Sequence, residues 1–213
     1  MKTLRSPASA LIAACLAGSG LAIGAEPDPR SDENVWSSAI TGFYYAMRDQ
    51  PDFGVGVASA DRGSLHLEAR YNYEARNATS VFGGWKFAGG DDLSFELTPI
   101  VGGLFGAARG VVPGVEASVA WREFDVYIEA EYVYDLNDHS ASYTYAWSEL
   151  AWKPTPWLRI GLAGQRTKVV DTGRDFQRGV FAQFTVGKVT LGLYGFNPDS
   201  GSRYFIGALG AKF

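Results

Sequence analysis

Cysteine is almost absent. The only one in 213 residues is Cys15, inside the first apolar run. An exported chain without disulfides has to be held by a large core or by closure of its sheet. Histidine is scarce too, with His66 and His139 far apart, and no glycine-rich phosphate loop leads into a helix. The sequence therefore offers no support for a metal or nucleotide site, and no cofactor is expected. A formal net charge of −4 gives no basic surface for nucleic acid. No segment shows a convincing helical period, and none has the length of a bilayer-spanning apolar helix.

What is present begins with Lys2 and Arg5, followed by "ALIAACLAGSGLAIGA" and the acidic "EPDPRSDEN". A basic start, a short apolar middle and small residues at its end have the form of a secretory signal peptide. Residues 1–25 are read as that signal, with cleavage after Ala25 first and after Ala22 second. "IAAC" also resembles a lipobox loosely, which would make Cys15 a lipidated terminus. Loss of Lys2 and Arg5 takes the net charge from −4 to −6. Residues 26–34 are expected to be a disordered leader, and 35–213 a single domain.

From Trp36 onward, apolar and polar residues alternate with period two. In "SLHLEARYNYEA", Leu65, Leu67, Ala69, Tyr71 and Tyr73 oppose His66, Glu68, Arg70, Asn72 and Glu74. The same split recurs in "GVEASVAWR", "FDVYIEAEYVY" and "VFAQFTVG". Turn signals divide the chain into strands at about 36–47, 53–60, 64–73, 79–88, 93–105, 113–121, 124–134, 142–152, 157–167, 179–187, 189–196 and 203–213. Alternation alone leaves open whether the apolar face packs in a soluble core or meets lipid.

Three features favour lipid. Gaps after odd strands are longer ("RDQPD", "EARNAT", "FGAARGVVPG", "DLNDHSAS", "KVVDTGRDFQR", "NPDSGS") than those after even strands ("DRG", "AGGDD", "RE", "KPTP", "GK"). Short turns at one end and longer loops at the other mark outer-membrane barrels. Trp85, Phe87, Trp121, Phe124, Trp152 and Trp157 gather near the short-turn end, and Tyr71, Tyr73, Tyr132 and Tyr134 near the other. Aromatic rings prefer the two interfaces of a bilayer.

The third feature is the ending "RYFIGALGAKF", where Phe205, Gly207, Leu209, Ala211 and Phe213 share a face. It resembles the terminal strand of Gram-negative outer-membrane β-barrel proteins, which close on an aromatic residue. Ala211 and Gly207 are smaller than that pattern favours. The resemblance implies that Phe205, Leu209 and Phe213 form the signal read by the barrel-assembly machinery. It also implies an outer-membrane location with a periplasmic leader, and outer-membrane lipid as the surrounding partner. The expected fold is all-β: a closed antiparallel up-and-down transmembrane β-barrel of twelve strands, with ten or eight as alternatives.

The inward face then carries His66, Glu68, Arg70, Glu74, Lys86, Glu96, Glu116, Arg122, Asp125, Glu129, Glu131, Glu149, Arg159 and Lys212, with acids in excess. Gly54, Gly56, Ala58, Gly161 and Ala163 are also read as inward, and leave space or serve curvature. Twelve strands lie between a filled interior and an open pore. A narrow passive channel, mildly cation-preferring, is expected, lined by His66, Glu68, Arg70, Lys86, Glu96, Glu116, Asp125, Glu129, Glu131, Glu149 and Arg159. The alternative is a plugged structural barrel. Arg174 and Arg178, in the longest loop, are candidates for an inward constriction.

A surface hydrolase around His139, with Asp135, Asp138, Ser140 and Ser142 nearby, ranks lower, because the parts of an acyl-transfer site are present without its spacing. A soluble lipocalin-like binder ranks lower still. No enzyme activity is expected.

Overall fold

Alternating polarity in the sequence becomes alternating orientation across a sheet that closes on itself. The computed structural model describes residues 35–48, 50–169 and 174–213, with the backbone alone at Val169, Arg174 and Asp175. The segments read as signal peptide and leader (1–25 and 26–34) lie outside the described residues. The strands are β1 (Ser37–Met47), β2 (Phe53–Arg62), β3 (Leu65–Tyr71), β4 (Ala78–Trp85 and Phe87–Gly89, with Lys86 between), β5 (Leu93–Gly106) and β6 (Gly110–Trp121). They continue as β7 (Phe124–Asp135), β8 (Tyr143–Thr155), β9 (Leu158–Val169), β10 (Arg174–Val186), β11 (Val189–Phe196) and β12 (Tyr204–Lys212).

Each strand pairs antiparallel with its sequence neighbours, and β1 pairs with β12 from Ala39↔Lys212 to Met47↔Tyr204. The ring is closed, twelve-stranded and up-and-down. Phe213 completes the seam through its backbone, donating to the Ser38 carbonyl at 2.8 Å and accepting from the Ser38 amide at 3.2 Å. A closed sheet has no unpaired edge, which in lipid would be very costly.

The outer wall is apolar all round: Ile40, Leu67, Val81, Leu97, Val101, Val119, Ile128, Leu150, Leu162, Val180, Leu193 and Leu209 are exposed. Trp85, Phe87, Trp121, Phe124, Trp152 and Trp157 are exposed beside the short turns. Tyr44, Tyr71, Phe105, Tyr132, Phe176 and Phe205 are exposed toward the long-loop end. No helix among the described residues is long and apolar enough to cross a membrane, which says nothing about a chain that crosses with strands.

Several orientations differ from the sequence reading. Tyr73 does not face outward; it is 2% exposed. Asn72 takes φ 59°, with its carboxamide oxygen accepting from the Asn77 amide at 2.6 Å. That left-handed residue, a conformation asparagine tolerates better than most, breaks the parity and turns Tyr73 and Glu74 inward together. In β2 the inward residues are Phe53, Val55 and Val57, while Gly54 and Ala58 face out. Paired residues share a face, and Asp61↔His66, Ser59↔Glu68 and Val57↔Arg70 place the odd-numbered set inside. Arg122, read as inward, takes φ 53° in a tight turn and lies over the Trp121 ring at 4.8 Å.

The segment "KVVDTGRDFQR" is mostly barrel strand rather than a long loop: β9 and β10 stay paired from Leu158↔Phe184 to Lys168↔Arg174. Beyond the lipid band the outer face meets water, so charged residues no longer interrupt a strand. Arg178 points outward and pairs with exposed Asp199 at 3.0 Å rather than with the interior; of Arg174 only the backbone is described.

Gly161 leaves no space. A Cβ there would fall 2.1 Å from the Leu150 carbonyl oxygen. Gly161→Ala is therefore expected to cost about 1–3 kcal/mol through overpacking, read as a lower urea midpoint of the protein purified in detergent. An unchanged midpoint would show that β8 and β9 yield at this point.

Candidate functional site

Inward positions on β3, β6 and β7 carry the densest charge, and the barrel brings them together across its width. Arg70 is the hub. Its guanidinium contacts Glu68 and Glu131 closely, Glu129 at 3.1 Å, and Glu74 and Glu116 at 3.4 Å. Two rings enclose it: Tyr73 at 4.2 Å and Phe82 at 4.4 Å from the guanidinium carbon. Cations favour aromatic faces where water is excluded. Hydroxyls hold the carboxylates: Tyr73 donates to Glu129 at 2.5 Å, Ser80 to Glu74 at 2.6 Å and Tyr127 to Glu129 at 3.3 Å.

A second ionic centre lies on β7 to β11. Arg159 donates to Asp125 at 2.5 Å and to Glu149 at 2.5 Å, and to the Gln183 carboxamide oxygen at 3.1 Å. Glu149 also accepts from the Trp147 indole at 3.1 Å and from the Tyr194 hydroxyl at 3.0 Å. This centre is closer to balance: Arg159 and, at 3.5 Å, Lys153 face Asp125 and Glu149.

Aromatic side chains fill much of what remains. Tyr45 stacks on Phe53 at 4.6 Å, Phe196 on Tyr204 at 4.9 Å, and Phe181 on Tyr194 at 5.2 Å. Trp147, 0% exposed, lies 5.4 Å from Phe196 and 5.8 Å from Tyr194, centroid to centroid. Tyr204 donates to Gln177 at 2.5 Å and lies 3.0 Å from the Gln165 carboxamide oxygen.

The walls meet across the lumen. The Tyr143 hydroxyl of β8 donates to the carbonyl of Glu74, which follows β3, and Tyr73 and Tyr145 lie edge to face at 6.2 Å. Those staves are nearly opposite in a twelve-strand ring. Buried side chains therefore bridge the lumen toward its long-loop end.

The structure turns His66, Glu68, Arg70, Lys86, Glu96, Glu116, Asp125, Glu129, Glu131, Glu149 and Arg159 toward the interior. Arg70 gathers four of these acids, with Glu74 beside them, within one cluster, and Arg159 gathers two. Lys86 stands apart near the short turns, 3.5 Å from Asp61 and 3.6 Å from Glu96. Sequence reasoning missed the aromatic filling. The signal was available in β8, where Tyr143, Tyr145 and Trp147 share the parity of Glu149.

Around His139 the parts of a hydrolase do not assemble. Ser140 donates its hydroxyl to Asp138 at 2.6 Å, which with the Ser140 amide holds that carboxyl below its ordinary range. His139 instead meets the Tyr134 hydroxyl at 3.0 Å. Asp135 accepts from the Asn137 and Asp138 amides, as a turn residue does.

No family model matches the chain, and no curated protein matches it in sequence. Solved structures do. The KdgM porin superposes with a TM-score of 0.64 at 12% identity, over 82% of this chain and 99% of that one. The fold is that of a porin barrel. A second KdgM porin structure, in complex with disordered oligogalacturonate, gives a TM-score of 0.63 at 10% identity, over the same shares of the two chains. At such identities the likeness is one of fold, and solute preference has to come from this chain's own interior.

Proposed function

We propose that the protein is a narrow, cation-preferring passive channel of the Gram-negative outer membrane, held nearly shut toward its long-loop end by its own side chains. The observation that carries this reading is the Arg70 cluster, where Glu68, Glu74, Glu116, Glu129 and Glu131 surround one guanidinium. Buried carboxylates in such excess attract cations and repel anions, and acidic constrictions select for cations. Oligogalacturonate, held by one of the compared porins, is a polyanion, and this interior opposes such a solute. Small monovalent cations and water suit it, with Glu68, Glu116, Glu129 and Glu131 setting the preference.

Export by the N-terminal signal and recognition of Phe205, Leu209 and Phe213 by the barrel-assembly machinery complete the proposal. The three aromatic and leucine side chains are exposed along the outer face of the seam strand. A structural barrel without transport is the second reading, favoured by the bridge from Tyr143 to Glu74.

Vesicles loaded with potassium separate the two. Slow potassium efflux that exceeds that of empty vesicles is expected, several-fold slower again in the Glu129→Gln, Glu131→Gln variant. Efflux equal to that of empty vesicles, with folded protein inserted, sinks the channel and leaves the structural barrel.

A further inference from the structure

At the edge of the Arg70 cluster lies an arrangement that pairing does not explain. His66 is 6% exposed. Its Nδ1 donates to Asp61 at 2.8 Å, while its Nε2 is buried without a hydrogen-bond partner among the described residues. An orphaned buried nitrogen is costly and uncommon. Glu68 stands two residues along on the same face of β3, and Glu116 comes from β6. One ring nitrogen and one oxygen from each carboxylate lie within 4.8 Å of one another.

We propose that His66, Glu68 and Glu116 bind a single divalent transition-metal ion of the zinc type inside the barrel, with a remaining position open to water. One imidazole and two carboxylates are a donor set that zinc accepts. A tetrahedral ion about 2 Å from each donor needs donors roughly 3 to 3.5 Å apart, so modest side-chain shifts close the site. Because Asp61 occupies Nδ1, Nε2 is the nitrogen the ring offers. A carboxylate on the far nitrogen of a metal-ligating histidine fixes its tautomer and raises its basicity.

Charge favours the same ion. Arg70 engages Oε1 of both Glu68 and Glu116, yet serves three further acids, and each carboxylate has a second oxygen to offer. Lys86 faces Asp61 and Glu96 instead. A dication at His66 offsets part of an acid excess that one guanidinium leaves uncompensated. Glu116 lies about fifty residues beyond His66 and Glu68 in sequence, on a strand that reaches the same cavity only through the curvature of the barrel.

The test uses the protein purified from membranes in detergent, stripped with a chelator and titrated with ZnCl2 alone by calorimetry. One ion per barrel is expected, with binding lost in His66→Ala, weakened in Glu116→Gln, and weakened 10–100-fold in Asp61→Asn. X-ray absorption of the zinc-loaded wild type should show one imidazole in the shell, a readout that does not require any variant to fold. Absence of zinc binding by the folded wild type, equal binding by folded His66→Ala, or a shell without imidazole overturns the site. Whether the barrel conducts potassium has no bearing on these outcomes, so the two proposals fail separately.

Discussion

Arg70→Met is expected to be the most damaging single substitution in the chain, lowering stability by about 3–5 kcal/mol or preventing the barrel from assembling. The side chain is buried and is the guanidinium that faces Glu68, Glu74, Glu116, Glu129 and Glu131. Methionine has similar length but leaves those carboxylates facing one another without a counter-charge. Removing one partner of a buried ionic cluster costs more than replacing the whole cluster by neutral groups. Adding Glu129→Gln and Glu131→Gln to Arg70→Met should therefore restore much of the loss. The readout is the temperature at which the folded band of the purified protein shifts on a detergent gel. An Arg70→Met protein as heat-resistant as the wild type would show that the acids are neutralised by something other than this guanidinium.

Trp147→Ala has the largest expected effect on transport. The indole is fully buried, lies against Tyr194 and Phe196, and donates to Glu149. Its removal leaves a cavity beside the passage rather than on the lipid face. Large-to-small changes at buried aromatics cost about 3–5 kcal/mol, so the variant should be less stable yet still closed by its backbone ladder. Single-channel conductance is expected to rise several-fold. A folded Trp147→Ala barrel with unaltered conductance would mean that no permeation path runs past this side of the lumen.

Much of the fold was legible because lipid imposes a simple rule on strands. Every second residue between two interfaces must be apolar, and the period survives in β3, β7 and β12 almost without exception. The rule loses force where one of its conditions lapses. At Asn72 a left-handed backbone shifts the parity, so simple alternation puts Tyr73 on the wrong side. In β2 both faces are free of charge from Phe53 to Ala58, and only the continuation to Ser59 and Asp61 reveals the inner one. At Lys168 and from Arg174 to Arg178 the paired strands rise beyond the apolar band, and polarity ceases to report pairing there.

The interior was legible residue by residue but not as an arrangement. That Glu129 and Glu131 face inward follows from their neighbours Ile128 and Tyr132, which face out. That both converge on Arg70 does not follow, since 59 and 61 residues separate them and the meeting depends on closure and stagger of the ring. The same holds for Tyr143 reaching Glu74 across the lumen. Occlusion is thus a property of the closed barrel and of no single strand.

The most direct measurement is the zero-current potential of the protein in a planar bilayer under a potassium chloride gradient. A narrow channel lined by the Arg70 cluster predicts small, discrete steps and a potential whose sign reports potassium as the favoured ion. An anion-favouring potential, or a bilayer that stays silent with folded barrel inserted, would contradict it.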